Sequence, residues 1–297
     1  MAEIELLDGA MGTELERMGA SIEGPAWSTR AIVERPELVR ELSVAYARAG
    51  ATVLTANTFR LTRPALEAWR AIDRSAPDPD AHAELAARAI ELARAARAVS
   101  PRVRVAASVG PTADCWEPWR TPPTARALQR EKIEAFARAE PDVLLCETFA
   151  DPGEAIVVVE EALATRLPVW LSLTAGPDAT LLTPEVMSEV ALRAARLGVA
   201  RVLVNCIEAD QTIRFVRAIA SSGVPVGAYG NAGLGPGTID PARFAAIASQ
   251  WIDAGATAIG GCCGTGPRHV AEMHRVVTSR ENSAPLGESS NSAEDRG

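Results

Sequence analysis

Eight times along the 297-residue chain a short run rich in Val, Leu, Ile and Ala gives way to a segment of helical character. This alternation constrains the fold more than any other feature. The runs are IELLDG, TVLTANTF, RVRVAASVG, DVLLCET, PVWLSLT, RVLVNC, VPVGAYG and TAIGGCC. Strands joined by helical crossovers lie parallel, and RVLVNC is apolar almost throughout, as a strand covered on both faces must be. Eight such units in a chain of this length predict an α/β protein, a single-domain (β/α)8 TIM barrel over residues 1–279. A doubly wound open sheet is the other arrangement such units build. The end of the chain, 280–297, is rich in Ser, Asn and Glu, lacks periodicity and reads as a disordered polar tail.

Charge and cysteine usage narrow the function. A formal charge of -8 disfavours nucleic acid as a partner. Glu3 and Glu5 interrupt the start, so no basic and then apolar leader is legible, and no run approaches a membrane span; a cytoplasmic protein with no membrane partner is expected. The five cysteines are an odd set without secretory context, so the thiols are expected to be reduced.

In a parallel barrel the reactive groups sit at the C-terminal strand ends, where the loops converge on one mouth. Those ends carry Asp8, Asn57 with Thr58, Ser108, Glu147, Cys206, Tyr229 and the adjacent pair Cys262 and Cys263. A lone cysteine usually packs as a small apolar side chain, and Cys115 and Cys146 are read that way. Adjacent cysteines on an extended strand face opposite ways, but the glycines around Cys262 and Cys263 let the chain turn so that both sulfurs approach one point. With Cys206 they offer three thiolates, a set suited to tetrahedral Zn2+ with one position open; a vicinal disulfide is the competing arrangement. Three thiolates outweigh the charge of Zn2+ and make it a poor generator of hydroxide, so the set favours activating a substrate thiol over hydrolysis. His82, His269 and His274 fall in helical segments away from the rim.

LLDGAMGTEL at the first strand, ETFAD after the fourth, VNC at the sixth, GNAG after the seventh and GGCCGTGP after the eighth together resemble the homocysteine S-methyltransferases, from about Ile4 to Val277. The resemblance implies a zinc-dependent (β/α)8 enzyme that methylates homocysteine to methionine. On this chain it makes Cys206, Cys262 and Cys263 the metal ligands, with Asn231 a ligand until the thiol displaces it. It places Asp8 and Glu147 at the substrate's ammonium group, Gly9 and Thr58 near its carboxylate, and Asn205 of VNC among the substrate-binding residues. A zwitterionic ligand needs both acids and donors, which the strand-end residues supply independently.

For the methyl donor, a sulfonium leaves as a neutral thioether and needs no general acid, which favours S-methylmethionine, then S-adenosylmethionine. Betaine calls for an aromatic cage, to which Trp27, Phe59, Trp116 and Trp119 are candidates. WEPWR in the third loop departs from the family pattern where a donor pocket would form. TANTFR and GNAGLG also resemble the homocysteine module of cobalamin-dependent methionine synthase, so a separate corrinoid protein is an alternative methyl source. A non-catalytic zinc and thiol-binding barrel is a further alternative.

Overall fold

The computed structural model describes residues 3–235 and 237–283. Eight parallel strands form one sheet: β1 (Glu5–Leu6), β2 (Val53–Ala56), β3 (Arg104–Val109), β4 (Val143–Phe149), β5 (Val169–Leu173), β6 (Arg201–Glu208), β7 (Val226–Asn231) and β8 (Ala256–Gly261). From β2 to β8 each strand pairs with its sequence neighbour, and β1 pairs with β8. A bridge between Leu7 and Val53, with the Asp8 amide donating to the Val53 carbonyl at 3.0 Å, brings β1 against β2 and rounds the sheet into a barrel.

The helices Pro36–Arg48, His82–Arg94, Ala125–Ala137, Pro152–Leu163, Pro184–Leu197, Ala209–Ala220, Pro241–Asp253 and Pro267–Ser283 form the outer ring. Their starts are written locally. Asp151, Thr183 and Asp240 each accept a backbone N–H in the first turn of the helix that follows, a cap contributing about 1 kcal/mol. Pro184–Leu197 stops at Gly198, whose φ of 108° is left-handed. Three further α-helices lie in the first two loops, Gly12–Arg17 and Ala31–Glu34 in the first and Arg63–Ile72 in the second. The last helix continues to Ser283, so 280–283 are helical, where the sequence suggested tail; 284–297 lie outside the described residues.

Between strands and helices runs a continuous apolar layer that includes Phe136, Phe215 and Trp251, all fully buried. Trp251 stacks edge-on to Phe244 with centroids 5.7 Å apart, and truncating such a ring costs about 3–5 kcal/mol. Inside the barrel a second cluster draws on every strand, with Val53, Leu145, Leu203 and Tyr229 among its members. The N-terminal pole is closed by Trp170, against which Arg104 and Arg201 stack at 5.2 and 5.1 Å. Glu5 pairs with both guanidinium groups, which leaves this trio at the barrel floor with one net positive charge. The C-terminal pole is the open one.

Candidate active site

At that pole the strand ends line a cavity of about 540 Å3. Two of the strands reach it by breaking their own register. The pairing of β4 with β5 shifts between Cys146 and Phe149, and that of β6 with β7 shifts between Asn205 and Glu208. At each shift stands a non-glycine residue with left-handed φ, Thr148 at 66° and Cys206 at 55°. Such bulges re-aim side chains, and the cost of the unusual backbone is met by the surrounding hydrogen bonds.

Cys262 and Cys263 follow β8 in a tight turn. The Cys262 amide donates to the Gly230 carbonyl at 2.8 Å and so prolongs the barrel pairing, while Thr265 donates to the Cys262 carbonyl from its amide (3.1 Å) and its hydroxyl (2.7 Å). Gly264 makes the turn with φ 79°, and a Cβ there would lie 1.8 Å from the Gly233 carbonyl oxygen. The Cys263 amide donates to Asn231 Oδ1 at 3.1 Å. As a result Cys206 Sγ is 3.1 Å from Cys262 Sγ and 3.8 Å from Cys263 Sγ, and all three sulfurs fall within 4.8 Å.

These separations suit a metal. Sulfurs bound tetrahedrally at about 2.3 Å from Zn2+ stand about 3.8 Å apart. Three thiols so close cannot all ionise alone: hydrogen bonds from Cys206 and Cys262 draw the Cys263 thiol down to about 4, and sharing those bonds pushes Cys206 up. A divalent cation resolves this conflict, and the donor set is the soft one zinc prefers.

Two acids face the same space. Asp8 is buried, with Oδ2 accepting from the Thr55 amide at 2.7 Å and Oδ1 from its hydroxyl at 3.0 Å. Burial nevertheless pushes its carboxyl from 3.8 up to about 8. Glu147 accepts hydrogen bonds from Ser108 and, at 2.8 Å, from the Tyr229 hydroxyl; burial raises this carboxyl too. Both acids are therefore poised to favour a cationic partner that restores their charge.

The expected residues divide. The three cysteines, Asp8, Gly9, Glu147, Trp27, Phe59 and Trp116 all line the cavity. Gly9 has no room for a side chain, since a Cβ would lie 2.8 Å from both the Thr265 and Tyr46 hydroxyl oxygens. Thr58 does not line it: the side chain is fully buried and its hydroxyl donates to the Ser108 carbonyl at 2.9 Å. Asn205 does not either, its amide being consumed by Thr148 and Ser172. Asn231 is not among the lining residues, and the interaction it makes is the bond that orients Cys263. Trp119 is 72% exposed on the outside. Cys115 and Cys146 are buried as expected, though Cys115 also touches the cavity. Among the described residues no histidine lines it; His269 instead accepts from the Gly266 amide and contacts the Ile239 carbonyl at 3.0 Å.

Thr55, Arg60 and Asp114 are lining residues that the sequence did not single out. Strand alternation held the signal for Thr55, which shares a face with Val53 in the barrel interior, whereas Thr58 lies beyond the end of β2.

A parallel barrel whose mouth gathers three thiols and two buried acids, with no histidine among the described residues that line it, has the makings of a thiolate metal enzyme that takes a cationic ligand. The family model described as homocysteine S-methyltransferase matches residues 5–277, and the chain belongs to that family, as a methyltransferase acting on homocysteine. The homocysteine S-methyltransferase of Escherichia coli (strain K12) is 33% identical, with 91% of this chain and 94% of that protein aligned. Homocysteine S-methyltransferase 1 of Zea mays is 27% identical over 93% of this chain and 94% of its own length. Among solved structures, the metallated form of the Escherichia coli homocysteine methyltransferase superposes with a TM-score of 0.78 at 30% identity, covering 92% of this chain and 96% of that one. A likeness to the carboxyl transferase domain of Rhizobium etli pyruvate carboxylase, at 11% identity and TM-score 0.52, reflects the barrel alone.

Proposed function

We propose that the chain forms methionine by moving a methyl group from a sulfonium donor, S-methylmethionine ahead of S-adenosylmethionine, to homocysteine at a zinc site held by Cys206, Cys262 and Cys263. The observation that carries this reading is the cluster of three sulfurs within 4.8 Å at the wall of the cavity. Zinc bound there supplies a Lewis acid that keeps the homocysteine sulfur ionised at neutral pH.

The chain's own groups do the rest. Asp8 and Glu147 receive the homocysteine ammonium, and at neutral pH its positive charge displaces the proton that burial leaves on Asp8. Gly9 presents bare backbone beside them. Arg60, over the Phe59 ring at 5.4 Å and 3.6 Å from Asp114, offers a cation and an anion side by side. The two ends of an amino-acid head group match that pair, and S-methylmethionine carries such a head. As the donor's C–S bond breaks, its electron pair stays on a sulfur that becomes neutral, so no residue has to protonate the leaving group.

The test is methionine formation by the zinc-loaded protein from homocysteine, with S-methylmethionine, S-adenosylmethionine and betaine offered separately. Turnover with a sulfonium and not with betaine is expected. Turnover with betaine alone would overturn the donor assignment, and zinc-independent turnover the metal.

A further inference from the structure

The third βα loop carries Asp114, Cys115 and Trp116 to the cavity wall, and a single buried carboxylate outside the cavity grips it at two places. Glu154, 3% exposed in the first turn of Pro152–Leu163, accepts on Oε1 from the Thr112 amide (2.8 Å) and hydroxyl (2.7 Å). Its Oε2 lies 3.3 Å from the Thr121 hydroxyl, which shares its proton with the Pro118 carbonyl at 2.9 Å. Thr112 precedes the lining residues and Thr121 follows them, so one side chain closes the loop upon itself.

A second row of buried groups backs this grip. Gln129 Nε2 donates to Glu154 Oε1 at 2.8 Å and to the Gly110 carbonyl at 3.2 Å. Lys132 Nζ donates to the same carbonyl at 2.6 Å and is 4% exposed. A buried carboxylate and a buried ammonium are each costly, and the bonds they make here all run to this loop or to one another's partners. Within the loop, Asp114 Oδ1 accepts from the Trp116 amide at 2.9 Å, which passes the anchoring on to the two side chains that face the donor.

We infer that Glu154 is a positioning residue for methyl-donor recognition: it touches no substrate, but by joining Thr112 to Thr121 it sets where Asp114 and Trp116 stand. The inference rests on the reading of the cavity given above, in which homocysteine takes the cysteines and acids and the donor takes the wall beyond them. Glu154 thereby acts on one substrate and not the other.

The experiment compares Glu154→Ala, Glu154→Gln and the milder Thr121→Val with the parent protein, each zinc-loaded, by steady-state kinetics in both substrates and by hydrogen exchange. Glu154→Ala should raise the KM for the sulfonium donor roughly tenfold while leaving that for homocysteine within about twofold, and speed exchange across 112–121. Glu154→Gln should recover most of the donor affinity, because its amide can accept from Thr112 and donate to Thr121. Thr121→Val, which keeps the Thr112 bonds, should fall between them and decides the matter if the alanine variant does not fold. An unchanged donor KM, or KM values that rise together for both substrates, would overturn the inference. Failure of the parent protein to turn over any sulfonium would bring down the cavity reading instead, and the positioning role with it.

Discussion

Asn205 holds Thr148 by both ends of its amide: Nδ2 donates to the Thr148 hydroxyl at 2.8 Å and Oδ1 accepts from the Thr148 amide at 3.2 Å. The two left-handed bends that bring Cys206 and Glu147 to the mouth are thereby linked through one buried side chain. Asn205→Ala should cost about 1–3 kcal/mol in chemical denaturation. It should also speed zinc loss to a chelator, because Cys206 is the next residue. Denaturation midpoints and chelator kinetics identical to those of the parent protein would show that the bends stand without the link.

Cys206→Ala and Cys262→Ala each leave two sulfurs where three are needed. Zinc content after dialysis and methionine formation should fall together to background in both. Full turnover by either variant would end the assignment of these residues as ligands.

Gly264→Ala tests the turn that pairs the two adjacent cysteines. The new Cβ meets backbone, not a flexible side chain, and the residue needs a left-handed φ, so a loss of about 2 kcal/mol or more is expected. Thermal melting reads the loss directly, and a wild-type Tm would mean the turn has room that the geometry denies.

Asp8 makes a pH prediction. In the unfolded chain it titrates near 3.8 and in the folded protein at about 8, so between those values the folded state holds a proton that the unfolded state has lost. Its contribution to stability is therefore complete below about pH 4 and drains away as pH rises towards 8. Asp8→Asn, whose Oδ1 can accept from the Thr55 amide while its Nδ2 donates to the Thr55 hydroxyl, should remove that slope: the variant should gain in Tm over the parent as pH is raised from 5 to 8. Parallel Tm curves across this range would contradict it.

Glu147→Gln keeps the shape and the Ser108 and Tyr229 contacts but loses the charge. The KM for homocysteine should rise roughly tenfold to a hundredfold, the worth of a charge-assisted hydrogen bond, with zinc content unchanged. A homocysteine KM equal to that of the parent would take Glu147 out of the ammonium site.

The barrel was legible because each strand and helix announces itself over a few residues, by β-branched runs, by Pro near helix starts and by Asp or Thr caps. The cysteine site was legible for a related reason, since three of its members fall at strand ends that the topology must bring together. Arg63–Ile72 carries its own signal, Thr62 accepting from the Ala65 amide with Pro64 in the first turn, yet it was hidden inside a long connection. Thr58 and Asn205 mark the limit. Sequence puts both at the mouth, but Thr58, past the end of β2, turns its hydroxyl to the Ser108 carbonyl, and a hydrogen-bond network absorbs Asn205. The grip of Glu154 on Thr112 and Thr121 joins residues far apart in the chain and has no local signature at all.

The plug of Trp170 between Arg104 and Arg201 has a kinetic consequence. With Trp170 filling the N-terminal end, the cavity lies at the C-terminal mouth, where two reactants would have to meet. On the function proposed above, homocysteine held at the cysteines and acids on the strand ends would have to arrive before a donor bound at the loop-built wall above. The spent donor would in turn have to leave before methionine. Turnover would then be a queue, its order written by which end of the barrel is filled.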